Sequence, residues 1–528
     1  MIAGLRDYAR AHPWAIDIAL LVLLTACAAA MRLTLLGDIP YGVHSDEAQV
    51  GTDAHRIISD GWIGVYTHAA LGQPAGHAYL TVPSIWLLGD NAFALRLPLA
   101  LVAVAQIPLL YLLVRVLANR LEAFLAAALL TVSYWQMFYS RVAHWSISYG
   151  TIVLAALLCL ALGMKSGRRR WFVAAGALLG LGVYTYNIYP IALVAVAAFL
   201  AAMTWTRRDD LRPWLARLAL TTTVAFVVAL PMIRYVSDPD AFYWDHVTNY
   251  SEVDVTRSPE FRQASAWGKA KLIGEQARTF VEAYTWRGQL DNVDGNGLRP
   301  MFDPPTLLLL VAGLVLAVRR RREPMVIAAL CCFFIIPLPA VLQRGSIMRQ
   351  PVAAAPFAMY IAALPLAEAV RATRSRPAEM RTLAAASVAG FIALIATITV
   401  RDYFWTWRKD NWPRYVYFSQ MTSASISMRD LPGGTHVLFL SERASINLEA
   451  RQFLAPDVRG EDRSLEFGRP AATIEPPPGH GPIAYVLLGP YIERLPEIEA
   501  AYPGGIARTI ERDGKLEFAA YELGSGRW

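Results

Sequence analysis

Two adjacent carboxylates, Asp46 and Glu47, stand directly after the first apolar segment, in the run Tyr41-Gly42-Val43-His44-Ser45-Asp46-Glu47-Ala48. Carboxylates at a lipid boundary are costly and call for a reason. One reason is local, because acids in a helix's first turn are favoured by the macrodipole. The other is chemical: a carboxylate there can accept a proton from an incoming hydroxyl or amine, as a general base. Asp and Glu also suit a hard divalent cation, so a cation is a candidate cofactor, with the metal itself left open.

Other side chains suit anion or sugar chemistry. Arg141 ends the run Phe138-Tyr139-Ser140-Arg141, and a guanidinium matches phosphate geometry. It would equally snorkel to headgroups. Arg344 and Arg349 share a compact turn, Gln343 to Pro351, on a side where short loops are otherwise poor in cations. A lipid-linked phosphate is the candidate ligand there. Tyr184, Tyr186 and Asn187 form an aromatic turn that fits an interfacial belt or the wall of a substrate groove. His44, Gln73 and His144 are further groove candidates. Asp291 to Asn296 resembles a cation loop only in outline and reads as a solvated turn.

The elements that must position these groups are mostly apolar helices. The 528 residues are 55% hydrophobic and 17% charged, with mean hydropathy +0.35. This composition specifies a polytopic α-helical membrane protein, since a span needs about 20 apolar residues. The net charge of +7 comes from arginine clusters between spans, and no nucleic-acid partner is expected. Cys27, Cys159, Cys331 and Cys332 all lie in apolar runs and read as small core residues. About eleven spans are expected, near 14–36, 93–117, 120–141, 146–164, 171–186, 188–205, 214–236, 305–318, 324–342, 351–370 and 382–400. The first is too long for a signal-peptide core and reads as an uncleaved span.

Orientation follows from the cations. Arg6/Arg10, Arg115/Arg120, Lys165 to Arg170, Arg207 to Arg217, Arg319 to Arg322 and Arg371 to Arg381 fall on one set of connections. That set is assigned to the cytoplasm, with the N-terminus. The opposite side receives Asp46, the loops 37–92 and 237–304, and everything after about residue 401. The expected division is a membrane module over 1–412 and a small extracytoplasmic α/β domain over 413–528. In that domain Val437–Leu440 and Tyr485–Leu488 read as strands and Leu495–Tyr502 as a helix. Ile506–Ile510 and Leu516–Tyr521 read as a hairpin around Asp513-Gly514. In the first outer loop, Val50, Ala54, Ile57 and Ile58 have helical spacing. They predict an amphipathic helix along the membrane surface, capped by Ser45 and stopped at Gly61. A second short helix is expected from His77 to Leu88.

An acidic pair after the first span, an amphipathic helix behind it and Ser140-Arg141 ending the third span resemble the GT-C glycosyltransferases. The nearest branch is that of the protein O-mannosyltransferases and aminoarabinose transferases. The resemblance covers roughly residues 14–400, and Met301-Phe302-Asp303-Pro304-Pro305 leading into a span is similar to bacterial members. It implies transfer of a sugar from a polyprenyl-phosphate carrier to a glycan, lipid or protein acceptor, at the outer face of a bacterial plasma membrane. By resemblance Asp46 takes the role of the catalytic aspartate and Glu47 that of its partner. Arg141 and Arg349 become candidates for the donor phosphate. Two departures stand out. Gly72-Gln73-Pro74 replaces a Lys-Pro pair, and His144 and Ser146 occupy a turn where a second aspartate is usual. The rival readings are a flippase of lipid-linked sugars and a non-catalytic envelope assembly protein. Ionisable groups in transporters cluster at mid-membrane on broken helices, whereas here the acids gather at one face.

Overall fold

The computed structural model describes residues 13–205, 211–249, 254–288, 299–343, 348–467, 474–475 and 481–524. Within them the chain forms two compact units. The first comprises 1–34, 63–77 and 97–405, and the second 35–62, 78–96 and 406–528. Residues 35–62 and 78–96 therefore group with the C-terminal residues.

The first unit is helical. Among the described residues seven helices are long and apolar enough to cross a membrane: Trp14–Leu33, Ala92–Leu117, Ser146–Ser166, Leu211–Val236, Pro324–Val341, Gln350–Ala372 and Ala378–Trp407. Pro190–Trp205 and Pro304–Arg319 are shorter apolar helices. Arg169–Leu181 packs on its two apolar neighbours, with Gly176 and Gly180 admitting the backbone of Thr221 and Ala225. Of the cysteines, Cys332 is buried and Cys27 exposed on its helix.

The expected continuous span 120–141 is instead broken. Arg120–Val132 and Tyr134–Ser140 meet at 56°, because Ser133 is extended and caps the second helix with its hydroxyl. A break frees helix-end carbonyls, and these must be satisfied inside the protein. Arg32, fully buried, donates to the Leu130 and Thr131 carbonyls at 3.1 Å each. Thr399 Oγ1 donates to the Val132 carbonyl at 2.9 Å. Nothing local to residues 120–141 announces this bend, since its partners lie about 100 and 267 positions away.

Several arginines counted for orientation also hold helices together. Arg120 and Arg115 both reach Asp17, at 2.8 and 3.3 Å. Glu122, fully buried, accepts from Arg320 at 2.8 Å, from Arg371 and from Tyr360 at 3.0 Å.

The second unit contains a mixed sheet. Its strands are β3 (His436–Leu440), β4 (Arg459–Asp462), β5 (Ile483–Leu487), β6 (Ile506–Arg512) and β7 (Lys515–Leu523), in the order β4-β3-β5-β7-β6. Two short strands, Tyr66–Thr67 (β1) and Gln73–Pro74 (β2), pair separately in the first unit. β3 runs parallel to β4 and β5, and β7 antiparallel to β5 and β6. Alternation sorts β3 between two cores. Val437 and Phe439 meet Ser419–Arg429 through Met421, Ala424 and Met428, while Leu438 and Leu440 meet Ile498 of Leu495–Ala501. The β6–β7 turn is Asp513-Gly514, both at positive φ, as a two-residue hairpin demands.

Helix Ser45–Asp60 forms as expected, but His44 rather than Ser45 is its N-cap, and Gly61 ends it at φ 83. Its apolar face packs against protein. Gly51 meets the Phe453 ring so closely that any added Cβ would collide with it, and Val50 and Ala54 are buried. The helix packs on Glu449–Leu454, and Gln49 donates to Glu449 at 3.1 Å. The amphipathic face thus serves a protein partner, leaving Ile58 at 45% exposure.

Candidate active site

The acidic pair divides into two environments. Glu47 is buried at 3% exposure, and its two oxygens accept from Arg96 Nε at 2.9 Å and Nη2 at 3.0 Å. This is the bidentate geometry that makes guanidinium–carboxylate pairs strong. Arg96 is itself fully buried and also donates to the carbonyls of Leu36 (3.3 Å) and Pro40 (3.0 Å) and to that of Gly42. Glu47 closes a capping box by accepting from the His44 backbone N–H at 3.1 Å. Glu47 is therefore the clasp of the loop, with both oxygens engaged and little exposure.

Asp46 lies one residue earlier with 24% of its side chain exposed. His44 Nδ1 accepts the Asp46 backbone N–H at 3.1 Å and stands 3.8 Å from Asp46 Oδ2. Accepting through Nδ1 places the proton of the neutral imidazole on Nε2. The ring rests against Tyr417 (6.2 Å, edge-on) and Phe418 (6.3 Å).

The loop leading to Asp46 is fastened at Tyr41, Gly42 and Val43. Gly42, at φ 89, lies so close to the Tyr417 carbonyl that no side chain fits there. The Val43 N–H donates to Thr422 Oγ1 at 2.9 Å. Tyr41 donates to Asp513 and accepts from Arg408 at 2.5 Å, with Arg414 and Arg512 over its ring at 4.5 and 5.1 Å. Burial first, and then the Asp513 carboxylate, raises the Tyr41 phenol above its ordinary range, so it stays a donor. The Tyr41 hydrogen bond, followed by Arg408 and Arg414, holds the Asp513 carboxyl below its usual range. A depressed carboxyl stabilises the fold above its unfolded pKa and loses that stabilisation as pH falls through the folded value. The melting temperature should therefore fall more steeply below about pH 4 in the wild type than in Asp513→Asn, as scanning fluorimetry across pH would read.

The remaining described candidates fall in the first unit. Arg141 is buried with no exposure and does not snorkel. Its Nη1 donates to the Met31 and Arg32 carbonyls at 3.2 and 2.8 Å, and its guanidinium lies 5.1 and 5.0 Å from the Tyr403 and Phe404 rings. It caps the end of Pro13–Leu33, where a cation suits the helix terminus. Arg349 is half-buried and precedes the turn Gln350–Ala354. The backbone on either side of it is held. The Met348 carbonyl accepts from Trp135 and Tyr284 at 3.2 Å each, and the Gln350 carbonyl from Tyr149. Arg344 and the Asp291–Asn296 run lie outside the described residues.

Around the aromatic turn, His144 bonds Ser146 Oγ at 2.9 Å and meets the buried Tyr186 ring at 5.6 Å, nearly perpendicular. Asn187 Nδ2 donates to the Gly72 carbonyl at 2.8 Å, next to Gln73, which is buried and pairs with Thr67 in the β1–β2 ladder. Tyr184 differs, spending its hydroxyl on the Val228 carbonyl at 2.8 Å. The structure thus brings His144 to Tyr186 and Asn187 to Gln73, and in the other unit His44 to Asp46 and Glu47.

Sequence reasoning missed Arg96 and Arg32. Half of the signal for Arg96 was present, since a cation near the start of an apolar helix needs a partner, but its carboxylate lies 49 positions away. Among the described residues no three His, Cys, Asp or Glu side chains are gathered to hold a metal ion.

Residues 72–235 match the family model described as dolichyl-phosphate-mannose-protein mannosyltransferase. No curated protein sequence matches the chain. Among solved structures, ArnT from Cupriavidus metallidurans in the apo state superposes with a TM-score of 0.55 at 15% identity, over 96% of this chain and 98% of that one. The same protein bound to undecaprenyl phosphate gives 0.54 at 14%, over 97% and 98%. The Archaeoglobus fulgidus oligosaccharyltransferase tethered with an acceptor peptide gives 0.52 at 14%, over 84% and 63%. At such identities the likeness is one of fold, and it extends over nearly the whole length of the first two.

Proposed function

We propose that this chain, a multi-pass membrane protein of the GT-C fold, is a glycosyltransferase that moves a sugar from a polyprenyl-phosphate carrier to an acceptor at the extracytoplasmic face of a bacterial inner membrane. The observation that carries the reading is the division of labour in the acidic pair. Glu47 is buried on Arg96, so that Asp46 is held at a helix start with its carboxylate partly open to solvent. The match of residues 72–235 to a family that uses dolichyl-phosphate mannose supports the donor class. The ArnT structure with undecaprenyl phosphate supports the same carrier chemistry.

The reaction is a single displacement. An acceptor oxygen or nitrogen attacks the anomeric carbon and loses its proton to Asp46. The bond from the anomeric carbon to the carrier phosphate breaks, and the polyprenyl phosphate departs as a stable anion without needing a proton. Cations near the departing oxygen stabilise its growing charge. Arg349, with its flanking carbonyls held, is the described candidate, and Arg344 shares its turn in sequence. Arg141 acts from behind by tying down Met31 and Arg32. His44 orients Asp46 through the backbone bond at Nδ1. His144, Tyr186, Asn187 and Gln73 are assigned to the substrate groove. Positioning two substrates in line is itself worth several kcal/mol.

A flippase would use broken helices to expose backbone carbonyls to cargo. Here the carbonyls freed at Ser133 are taken by Arg32 and Thr399, which favours the enzyme.

Mass spectrometry of envelope glycans and lipid carriers from cells with and without this protein tests the reading. The expected result is loss of one sugar from an acceptor, with build-up of its polyprenyl-phosphate form. Unchanged profiles of both would overturn it.

A further inference from the structure

The second unit holds a cavity of about 260 Å³ that the proposed reaction does not use. It lies between the start of helix Ser419–Arg429, the turn after β3 and the beginning of β7. We propose that this cavity binds the anionic group of a monosaccharide-sized ligand, an acidic sugar, through Arg443 and Lys515. Naming a sugar rests on the transferase reading; the anion does not.

Charge gives the first argument. Three cations line the cavity: Arg414, Arg443 and Lys515. Arg414 is spent on acids, bonding Glu517 and lying 3.6 Å from Asp513. The other two bond neutral oxygens. Arg443 donates to the Tyr415 carbonyl, and Lys515 Nζ to the Lys409 carbonyl at 3.1 Å and to Asn411 Oδ1. Among the described residues neither is within ion-pair distance of a carboxylate. Arg443 is half-buried over the Tyr415 and Phe418 rings, 3.2 and 4.4 Å from their centroids. Burial lowers its guanidinium from the ordinary range, against the smaller opposing pulls of Tyr415 and Glu442. Glu442, also in the wall, acts on Arg443 but is exposed, so water and salt weaken its pull.

Size and chemistry give the second. The volume is at the lower limit of small-molecule pockets, about 300 Å³, enough for one sugar ring and not for an oligosaccharide. Asn411 and Gln420 bring amide donors and acceptors to the same wall, as a polyol requires. Phe418 links the cavity to the acid loop, since its ring also touches His44. It does so from the left-handed region, φ 50 and ψ 49, a conformation rare for an aromatic residue and held only by its surroundings.

Isothermal titration of the full-length protein in nanodiscs tests this, with glucuronate, glucose and inorganic phosphate as probes. Glucuronate should bind, and both glucose and phosphate should bind at least about tenfold more weakly. Arg443→Gln and Lys515→Met should each weaken glucuronate about tenfold. The lysine variant changes a half-exposed side chain and guards against misfolding. Asp46→Asn should bind glucuronate as the wild type does, which separates this cavity from the transfer chemistry. Absent glucuronate binding, equal affinity for glucose or phosphate, or two variants that bind like the wild type would overturn the proposal. A negative result here leaves sugar transfer in the glycan assay intact, so the two readings fail separately.

Discussion

Glu47→Ala is expected to lower stability by about 3–5 kcal/mol, because it strands the Arg96 charge in a site without exposure. The cost is mostly that of an unpaired buried cation rather than of one lost contact. Three carbonyls also hang on that guanidinium, at Leu36, Pro40 and Gly42, so the loop from 35 to 44 should loosen with it. Thermal unfolding in detergent reads the loss, and faster hydrogen exchange at residues 41–47 locates it. Arg96→Met alone should cost a similar amount. The double variant Glu47→Leu/Arg96→Met should recover a large part, since an apolar pair of similar volume removes both charges at once. If Glu47→Ala melted like the wild type, the clasp would not exist.

Asp46→Asn should behave in the opposite manner. The substitution keeps size and a first-turn polar group but removes the carboxylate proposed as the base. Transfer should fall on the order of 10²–10⁴-fold, the usual contribution of general acid–base catalysis. The melting temperature should hardly change, because Asp46 is partly exposed and its backbone N–H, not its carboxylate, carries the cap to His44. A loss confined to turnover, without a matching rise in KM, identifies a group acting in the transition state.

The two substitutions are neighbours in sequence and opposite in expected effect, and that contrast marks what the sequence could and could not convey. Periodicity located helix Ser45–Asp60 to within a residue, and turn chemistry located the Asp513-Gly514 hairpin, because both signals are local. The apolar β3 and β5 were legible for the same reason. β4 was not, since Arg-Gly-Glu-Asp carries no alternation of apolar residues. The pairing of Glu47 with Arg96 spans 49 positions and has no local signature. The break at Ser133 was hidden likewise, as one serine in an apolar run reads as helix until Arg32 is placed against it. Arg141 looked like an interfacial cation from its position at a helix end, and three-dimensional packing buried it on two carbonyls and two rings.

The most direct measurement is single-turnover transfer from a polyprenyl-phosphate sugar in proteoliposomes, run on Asp46→Asn and Glu47→Gln beside the wild type, with unfolding recorded on the same preparations. Asp46→Asn should keep its melting temperature and lose transfer, while Glu47→Gln should lose melting temperature first and retain transfer in the molecules still folded. Transfer by Asp46→Asn at the wild-type rate would contradict the proposed role of Asp46 as the base.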